Sequence, residues 1–196
     1  EDLEFSDGML RVRGERVDLV YNRLCDFALE TDASRALREA YLAGAAVVTP
    51  NPAAHALYAD KRRLALLGDE DWLRSAGLEP RLASLLGEVV PRTAVVRRED
   101  GARLWEERRK LFFKPFAGYG SRGAYRGDKL TRRVFEEILS GGYVAQVMVP
   151  PGERIAALES QLPLKFDVRN YAYAGKVELL AARLWRGQTT NFRSEG

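Results

Sequence analysis

The sequence predicts an α+β fold with a smaller α/β portion at its N-terminus, and two patterns indicate this class. Residues 17–49 hold two apolar, strand-like runs on either side of a helical pattern, which is typical of a strand–helix–strand unit. Residues 164–186 alternate between apolar and polar side chains around Ala174-Gly175-Lys176, which predicts a long antiparallel hairpin. Helical and strand patterns are mixed in between, so we expect α+β structure for the larger part of the chain.

The first third is expected to contain a short hairpin followed by the strand–helix–strand unit. Side chains alternate around a turn at Ser6-Asp7-Gly8, and a second reversal is expected at Gly14. Asn22 and Arg23 end the first apolar run, at the position where open α/β sheets place ligand contacts. We predict a buried strand over residues 17–21, a helix over 32–42 capped by Asp32 or Ser34, and a buried strand over 45–49.

Further helices and strands are expected before the final hairpin. Helices are predicted over residues 53–67, just after Gly68-Asp69, over 102–109, and over 131–139 with Asp128 or Thr131 as its cap. Strands are predicted over residues 91–96, 111–115 and 143–149, the last closed by Pro150-Pro151-Gly152.

The cysteine and histidine content limits the chemistry of the chain. Cys25 is its one cysteine and His55 its one histidine, so an internal disulfide is impossible and a His/Cys metal site is not expected. Catalysis by a Ser-His-Asp or Cys-His group is disfavoured for the same reason. We expect Cys25 to be a buried, small hydrophobic residue and His55 a partly exposed helical residue. The tryptophans, Trp72, Trp105 and Trp185, are expected to be core anchors.

Charge and hydropathy indicate neither a nucleic-acid partner nor a membrane partner. The 31 Lys and Arg residues are dispersed among 28 Asp and Glu residues, whereas a nucleic-acid binder concentrates its basic residues on one face. No apolar run approaches the roughly 20 residues that span a bilayer, and the acidic start is unlike a signal peptide. We therefore expect a cytoplasmic protein. Since the chain does not begin with Met, we also expect it to be a piece of a longer protein.

The most informative segment is a glycine-rich stretch that follows a lysine at the end of a strand. Lys114 offers a fixed cation, and the glycines after it allow backbone N–H groups to approach phosphate oxygens, so phosphate binding is expected. Gly118, Gly120 and Gly123 match the pattern G-x-G-x-x-G, but no helix opens at the third glycine, and no Gly-Lys-Ser/Thr follows. The Rossmann and Walker interpretations therefore fail. A glycine-rich surface loop without a ligand is the alternative.

A second segment suits the nucleoside part of a nucleotide. The strand over residues 143–149 offers an apolar slot with backbone hydrogen-bonding groups for an adenine ring, and Glu153 beyond it offers a carboxylate for ribose hydroxyls. A Lys-Pro strand, a glycine-rich loop, a helix and such a hinge strand together resemble the ATP-grasp superfamily, and the resemblance covers residues 47–196. It implies an ATP-grasp fold of two α+β subdomains around the nucleotide. Residues 1–52 would be a partial pre-ATP-grasp α/β segment, and residues 53–196 the ATP-grasp domain, with its central subdomain ending at about 145.

The resemblance also implies the residues that bind ATP. Asp60-Lys61-Arg62 resembles the Asp-Lys at the start of the first ATP-contacting helix, so Lys61 and Lys114 would be the two phosphate-side lysines. The lid over the phosphates would consist of Gly118, Tyr119, Gly120, Ser121, Arg122 and Gly123. The hinge would consist of Gln146, Val147, Met148 and Val149. Glu153 would bind the ribose.

The final hairpin resembles the Asp-x-Arg hairpin of carboxylate–amine ligases, including those that extend protein tails and glutathionylspermidine-synthase-like proteins. By this resemblance Arg169, Arg183 and Arg186 would neutralise the transferred phosphoryl group. Asp167 and Asn191 would bind Mg²⁺. The usual Glu-x-Asn metal pair is not evident, because Thr189 stands where the glutamate is expected. A hairpin with solvated arginines is the alternative interpretation.

The expected activity is an ATP-dependent ligase reaction. ATP and Mg²⁺ would activate a carboxylate as an acyl phosphate, and an amine would then displace phosphate, so no side-chain nucleophile is required. A kinase acting on a small hydroxylated molecule and a non-catalytic nucleotide-binding module are the alternatives. The acid and the amine would each be a small molecule or a peptide.

Overall fold

The computed structural model describes residues 2–155 and 163–187. The chain divides into two compact units, Glu1–Gln146 and Val147–Gly196, while the expected boundary at residue 52 stays a prediction. Over the described residues, no helix has the length and apolar character needed to cross a membrane.

The first unit contains helices and short strands in mixed order. Its strands are β1 Leu3–Ser6, β2 Met9–Val12, β3 Glu15–Arg16, β4 Leu19–Tyr21, β5 Val47–Thr49, β6 Thr93–Val95, β7 Leu111–Pro115, β8 Tyr125–Arg126 and β9 Tyr143–Val147, whose last residue already belongs to the second unit. Its helices are α1 Arg35–Leu42, α2 Pro52–Tyr58, α3 Arg63–Leu67, α4 Glu70–Ser75, α5 Pro80–Val89, α6 Gly101–Glu107 and α7 Arg132–Leu139.

The N-terminal elements confirm the predicted hairpin and the strand–helix–strand unit. Strands β1, β2 and β3 form one antiparallel sheet, and β4 and β5 pair in parallel with α1 between them. A small core lies among these elements and consists of Leu10, Leu29, Leu37, Ala40 and Val48. The prediction that both parallel strands are buried is wrong, since Leu19, Tyr21 and Val47 are at least 60% exposed. Two strands alone leave most of their side chains in solvent.

Helix caps follow the prediction in part. Thr131 caps α7, with its hydroxyl accepting a hydrogen bond from the backbone N–H of Val134. Ser34 occupies the cap position of α1, but its side chain makes no capping hydrogen bond, because a 3-10 turn over Asp32–Ser34 leads into the helix.

The helix predicted over residues 53–67 is interrupted, which corrects the sequence-based prediction. α2 ends at Tyr58 and α3 begins at Arg63. In the turn between them, the Asp60 carboxylate accepts the backbone N–H of Arg62 at 2.8 Å. The backbone N–H of Lys61 donates to the carbonyl of Phe116 at 3.0 Å. Because that N–H binds a distant segment, it does not extend the first helix.

A four-stranded sheet of order β6-β9-β7-β8 supports the segments that the sequence singled out. Side chains of β7 alternate between its faces, so Leu111 and Phe113 are buried while Lys114 is only half-buried. Phe113 packs edge-on against Phe135 of α7, and Trp105 of α6 also contacts Phe135. This packing fixes the strand that carries Lys114.

The second unit is a three-stranded antiparallel sheet of order β10-β11-β12. Its strands are β10 Gly152–Arg154, β11 Leu164–Tyr173 and β12 Lys176–Trp185. The long hairpin confirms the prediction, with its turn at Ala174-Gly175 and a bulge beside Tyr171. Trp185 is buried, as expected of a core anchor, whereas Trp72 is 43% exposed and the core prediction for it is wrong.

Candidate phosphate-binding site

Two lysines from distant parts of the chain line one pocket in the first unit. Lys61 lies in the turn between α2 and α3, and Lys114 lies near the end of β7. The Lys61 ammonium donates to the carbonyl of Gly118 at 3.2 Å, so the turn is joined to the loop after β7. We call this cavity of about 280 Å³ the phosphate pocket. It is lined by Lys61, Phe112, Lys114, Pro115, Gly118, Tyr119, Gly120, Ser121, Arg122 and Ala124.

The phosphate pocket has a positive electrostatic character. None of its lining residues carries a carboxylate side chain. The carboxylate of Asp60, which precedes Lys61, forms an ion pair with Arg62. Burial lowers the pKa of Lys114, and the nearby positive charge of Lys61 lowers it further. Two cations held near each other repel, and an anion between them relieves this repulsion. The local charge therefore favours an anionic ligand.

Backbone conformation shapes the loop over residues 116–124, which we call the glycine-rich loop. Gly118, Gly120, Ser121 and Gly123 all have positive φ, with Ser121 at 61°. Glycine adopts these angles without the steric cost that a β-carbon adds. Two successive turns result. In them the backbone N–H of Arg122 donates to the Tyr119 carbonyl and the backbone N–H of Ala124 donates to the Ser121 carbonyl, both at 3.2 Å. The six residues predicted as the lid thus form one continuous, tightly folded segment.

Lys114 is anchored by a polar side chain of the neighbouring strand. Its ammonium group donates to Oε1 of Gln146 at 2.6 Å, and Nε2 of Gln146 donates to the Thr93 hydroxyl at 2.8 Å. Gln146 was predicted as part of an adenine-contacting hinge, but its side chain is buried against Thr93 and Lys114. Sequence reasoning missed Thr93, because nothing in its neighbourhood marks it as a site residue.

The other predicted nucleoside-binding residues belong to the second unit. Val147 and Met148 are half-buried, and Val149 is 65% exposed. Glu153 is exposed on β10, opposite Lys165 of β11. The adenine and ribose roles of these residues stay predictions.

Two of the residues predicted to act on the phosphoryl group and metal bind each other. Asp167 and Arg183 are directly opposite on β11 and β12, and the Arg183 guanidinium donates two hydrogen bonds to the carboxylate, one from Nε at 2.8 Å. This pairing lowers the pKa of Asp167 and raises that of Arg183. Arg169 and Arg186 are exposed. Asn191 lies outside the described residues.

A magnesium site is not assembled within the part of the chain that the structure describes. No group of three or more His, Cys, Asp or Glu side chains is placed there to hold a metal ion. Asp167, the described metal candidate, is committed to Arg183. These residues by themselves do not fit a protein-bound Mg²⁺, which prefers free carboxylates together with water or phosphate oxygens.

A second cavity of about 310 Å³ lies at the carboxyl ends of β4 and β5 and includes Asn22 and Arg23, as the strand ends predicted. Phe27 stacks on His55 with 3.9 Å between ring centroids, and its edge meets Tyr119 of the glycine-rich loop. The phosphate pocket and this second cavity therefore share an aromatic contact, which the sequence did not indicate. Cys25 is exposed, so the prediction that it is buried is wrong.

Of the comparisons with known proteins, the one with solved structures gives matches. No protein-family model and no curated protein matches the sequence. Among solved structures, the ATP-grasp ligase PsnB in complex with a minimal precursor, Mg and ADP is similar at 22% identity and a TM-score of 0.40, over 77% of this chain and 53% of that chain. PsnB with the minimal precursor is similar at 20% identity and a TM-score of 0.41, over 96% of this chain and 64% of that chain. The chain spans less than two thirds of the length of these neighbours.

Proposed function

We propose that this chain is the nucleotide-binding part of an ATP-dependent ligase of the ATP-grasp type. The observation that carries the proposal is the convergence of Lys61 and Lys114 on one pocket beside the glycine-rich loop. The pattern of the sequence motifs supports ATP as the anion, since a polyphosphate suits two lysines and a loop with little steric hindrance from side chains. The structural neighbour named above, the ATP-grasp ligase PsnB, has been solved in complex with Mg and ADP, which is compatible with this proposal.

Each residue of the phosphate pocket has a defined part in the proposal. Lys61 and Lys114 neutralise the phosphates, and the glycine-rich loop brings backbone N–H groups toward them. Lys61 exchanges its bond to the Gly118 carbonyl for a bond to phosphate, because a charged oxygen is the stronger acceptor. Val147, Met148, Val149 and Glu153 are proposed to bind adenine and ribose. Any Mg²⁺ would be held largely by the phosphates themselves.

The proposed reaction needs no nucleophile from the protein. A carboxylate oxygen of the acid attacks the terminal phosphorus of ATP, the bond to ADP breaks, and an acyl phosphate forms. The nitrogen of an amine then attacks the carbonyl carbon, releasing phosphate and leaving an amide and a proton. Positioning and charge neutralisation are the protein's contribution. Arg169, Arg183 and Arg186 are our candidates for stabilising the transferred phosphoryl group, and the Nη1 donors of Arg183 would be available for it while Nε and Nη2 bind Asp167.

Replacing Lys114 with alanine tests the nucleotide site. Loss of a charge-assisted contact of about 1.5–3 kcal/mol weakens ATP binding by roughly 10-fold to more than 100-fold. The measurement is calorimetric titration with ATP, and circular dichroism verifies that the variant folds. Lys129→Ala is the matched control, because Lys129 is exposed and does not line the phosphate pocket. Equal ATP affinity for the two variants would contradict the assignment of Lys114 to the nucleotide site.

Product analysis separates a ligase from a kinase on the same site. A ligase releases free phosphate only when an acid and an amine are both supplied, whereas a kinase leaves a stable phosphoester. Phosphate release by the full-length protein, followed by mass spectrometry of the product, decides between them. The same assay on Arg183→Ala tests the role of that residue, since turnover equal to that of the unaltered protein would exclude it from phosphoryl transfer.

A further inference from the structure

We propose that Thr93 and Gln146 are positioning residues of the phosphate pocket, which hold the Lys114 ammonium group in place for an anionic ligand while leaving its charge intact. The inference deepens the proposed function and rests on it for the identity of the anion. It also assigns Gln146 a role different from the adenine contact expected from its place near the hinge.

A continuous chain of hydrogen bonds carries the inference. Lys114 Nζ donates to Gln146 Oε1 at 2.6 Å, Gln146 Nε2 donates to Thr93 Oγ1 at 2.8 Å, and the Thr93 hydroxyl donates to the Pro91 carbonyl at 2.8 Å. Thr93 on β6 is directly opposite Gln146 on β9, and β9 lies next to β7, which carries Lys114. Three adjacent strands therefore fix the chain of bonds.

The orientation of the Gln146 amide is determined from both ends. Lysine has only donors, so Gln146 must present its oxygen to Lys114. The Thr93 hydroxyl uses its single hydrogen on the Pro91 carbonyl, so it must accept from the amide nitrogen. Gln146 and Thr93 are 7% and 8% exposed, and a flipped amide would leave donors unsatisfied in a buried place. The acceptor for Lys114 is thus held in one orientation.

The chemistry of a neutral acceptor suits a cation that has to bind an anion. An ammonium group has three donors, and the bond to Gln146 uses one, so two remain for phosphate oxygens. A carboxylate in the same place would neutralise the charge and compete with the phosphate. The amide positions the ammonium without either effect.

Other charged groups around Lys114 are the same in every variant compared below. Lys61 lies close enough to lower the pKa of Lys114, and Arg122 and the Tyr119 hydroxyl belong to the glycine-rich loop that lines the same pocket. β8, which pairs with β7, contributes Arg126, whose guanidinium is bound to Asp128. Differences between variants in ATP affinity or in the reactivity of Lys114 therefore report on Thr93 and Gln146.

The first experiment measures ATP affinity in Thr93→Val and Gln146→Met. Both replacements keep the approximate shape and remove the bonds, so each is expected to weaken ATP binding about fivefold to tenfold. Thr93→Ser retains the hydroxyl and is expected to restore most of the affinity. Gln146→Glu is expected to weaken binding more than Gln146→Met does, because the new carboxylate offsets the charge of Lys114.

The second experiment needs no nucleotide. Acylation of each lysine by a small reagent is followed by mass spectrometry across pH, with exposed Lys129 as the internal control. Removing the acceptor in Gln146→Met or releasing it in Thr93→Val shifts the reactivity profile of Lys114 to lower pH. Gln146→Glu shifts the profile to higher pH, since a carboxylate stabilises the ammonium form. The profile of Lys129 is expected to be unchanged.

The outcomes distinguish this inference from the proposed function. If the unaltered protein does not bind ATP but the Lys114 profiles shift as expected, the proposed function fails and the positioning role stands. If Lys114→Ala abolishes ATP binding while Thr93→Val and Gln146→Met lower only thermal stability, the two residues are merely structural and the inference is overturned. Should Gln146→Met fail to fold, the Thr93→Val and Thr93→Ser pair decides by the same criteria.

Discussion

Asp26 accepts three hydrogen bonds in the loop before the first helix. Its carboxylate receives the backbone N–H groups of Glu30 and Thr31 at 3.0 Å each, and the Thr31 hydroxyl at 2.8 Å. These bonds, led by the backbone N–H of Thr31, hold the pKa of Asp26 well below its ordinary value of 3.8. A carboxylate that accepts several N–H bonds is stabilised in its charged form. The loop conformation is thereby linked to pH.

Replacing Asp26 with asparagine is expected to reduce the free energy of unfolding near neutral pH, and to reduce it by a smaller amount in acid. A group whose pKa is lowered by folding contributes stability that is fully present above its unfolded pKa and is lost as pH falls through its folded pKa. The free energy of unfolding, measured in urea between pH 2.5 and 6, should therefore differ most between variant and unaltered protein above pH 3.8. A difference of the same size at both ends of this range would contradict the linkage.

Residues differ in how far the sequence reveals their roles. Lys114 was predicted to bind phosphate because the strand end and the glycines lie within ten positions of it. The partners of Gln146 are Lys114 and Thr93, which lie 32 and 53 positions away, so no local pattern reveals them. Proximity to the expected hinge suggested adenine instead. A side chain's direction is set by which strands pair, and that pairing is not readable from one sequence.

Among the elements, the break between α2 and α3 illustrates what local patterns omit. Apolar residues continue at helical spacing across the turn, so the sequence predicts one helix. The Lys61 N–H bond to the Phe116 carbonyl spans more than 50 positions, and this tertiary contact places Lys61 at the phosphate pocket. By contrast, β7 and the final hairpin were predicted closely, because strand alternation and turn glycines are local signals.

Alanine replacements at Gly87 and at Gly127 are expected to change the free energy of unfolding in opposite directions. Gly87 lies inside α5, and an added β-carbon would be 3.7 Å from its nearest neighbours in Glu70, so Gly87→Ala should stabilise the protein by up to about 1 kcal/mol. At Gly127 the added carbon would lie 1.8 Å from the carbonyl oxygen of Arg108, so Gly127→Ala should destabilise by about 3 kcal/mol. Urea unfolding of both variants measures the two changes, and shifts in the same direction would contradict the packing around these two glycines.

At the scale of the whole molecule, the two units differ in how their apolar side chains are used. In the first unit, Phe113, Phe135 and Ile138 are at most 1% exposed. On the second unit's hairpin, Val168 and Leu180 share one face, yet both are more than half exposed. Alternation predicted this hairpin correctly, but it predicts only that a strand has two faces. Whether a face is covered depends on what packs against it, which the pattern does not encode.

Nucleotide binding is expected to protect the glycine-rich loop from proteolysis. Arg122 is exposed in this loop, and trypsin must bind an extended, locally unfolded segment to cleave after it. ATP bound to Lys61, Lys114 and the loop backbone should restrain that segment, as substrates do for closing loops. Cleavage after Arg122, followed by mass spectrometry, should therefore slow in the presence of ATP.

Arg13, exposed in the turn between β2 and β3, provides the control site within the same unit. Ligand binding also stabilises a protein globally, and a global effect would slow cleavage at Arg13 and Arg122 equally. Restraint of the loop predicts a selective effect at Arg122 that disappears in Lys114→Ala. Equal slowing at both sites would mean that ATP binds without engaging the loop, and selective slowing that persists in Lys114→Ala would mean that the loop responds to nucleotide bound elsewhere.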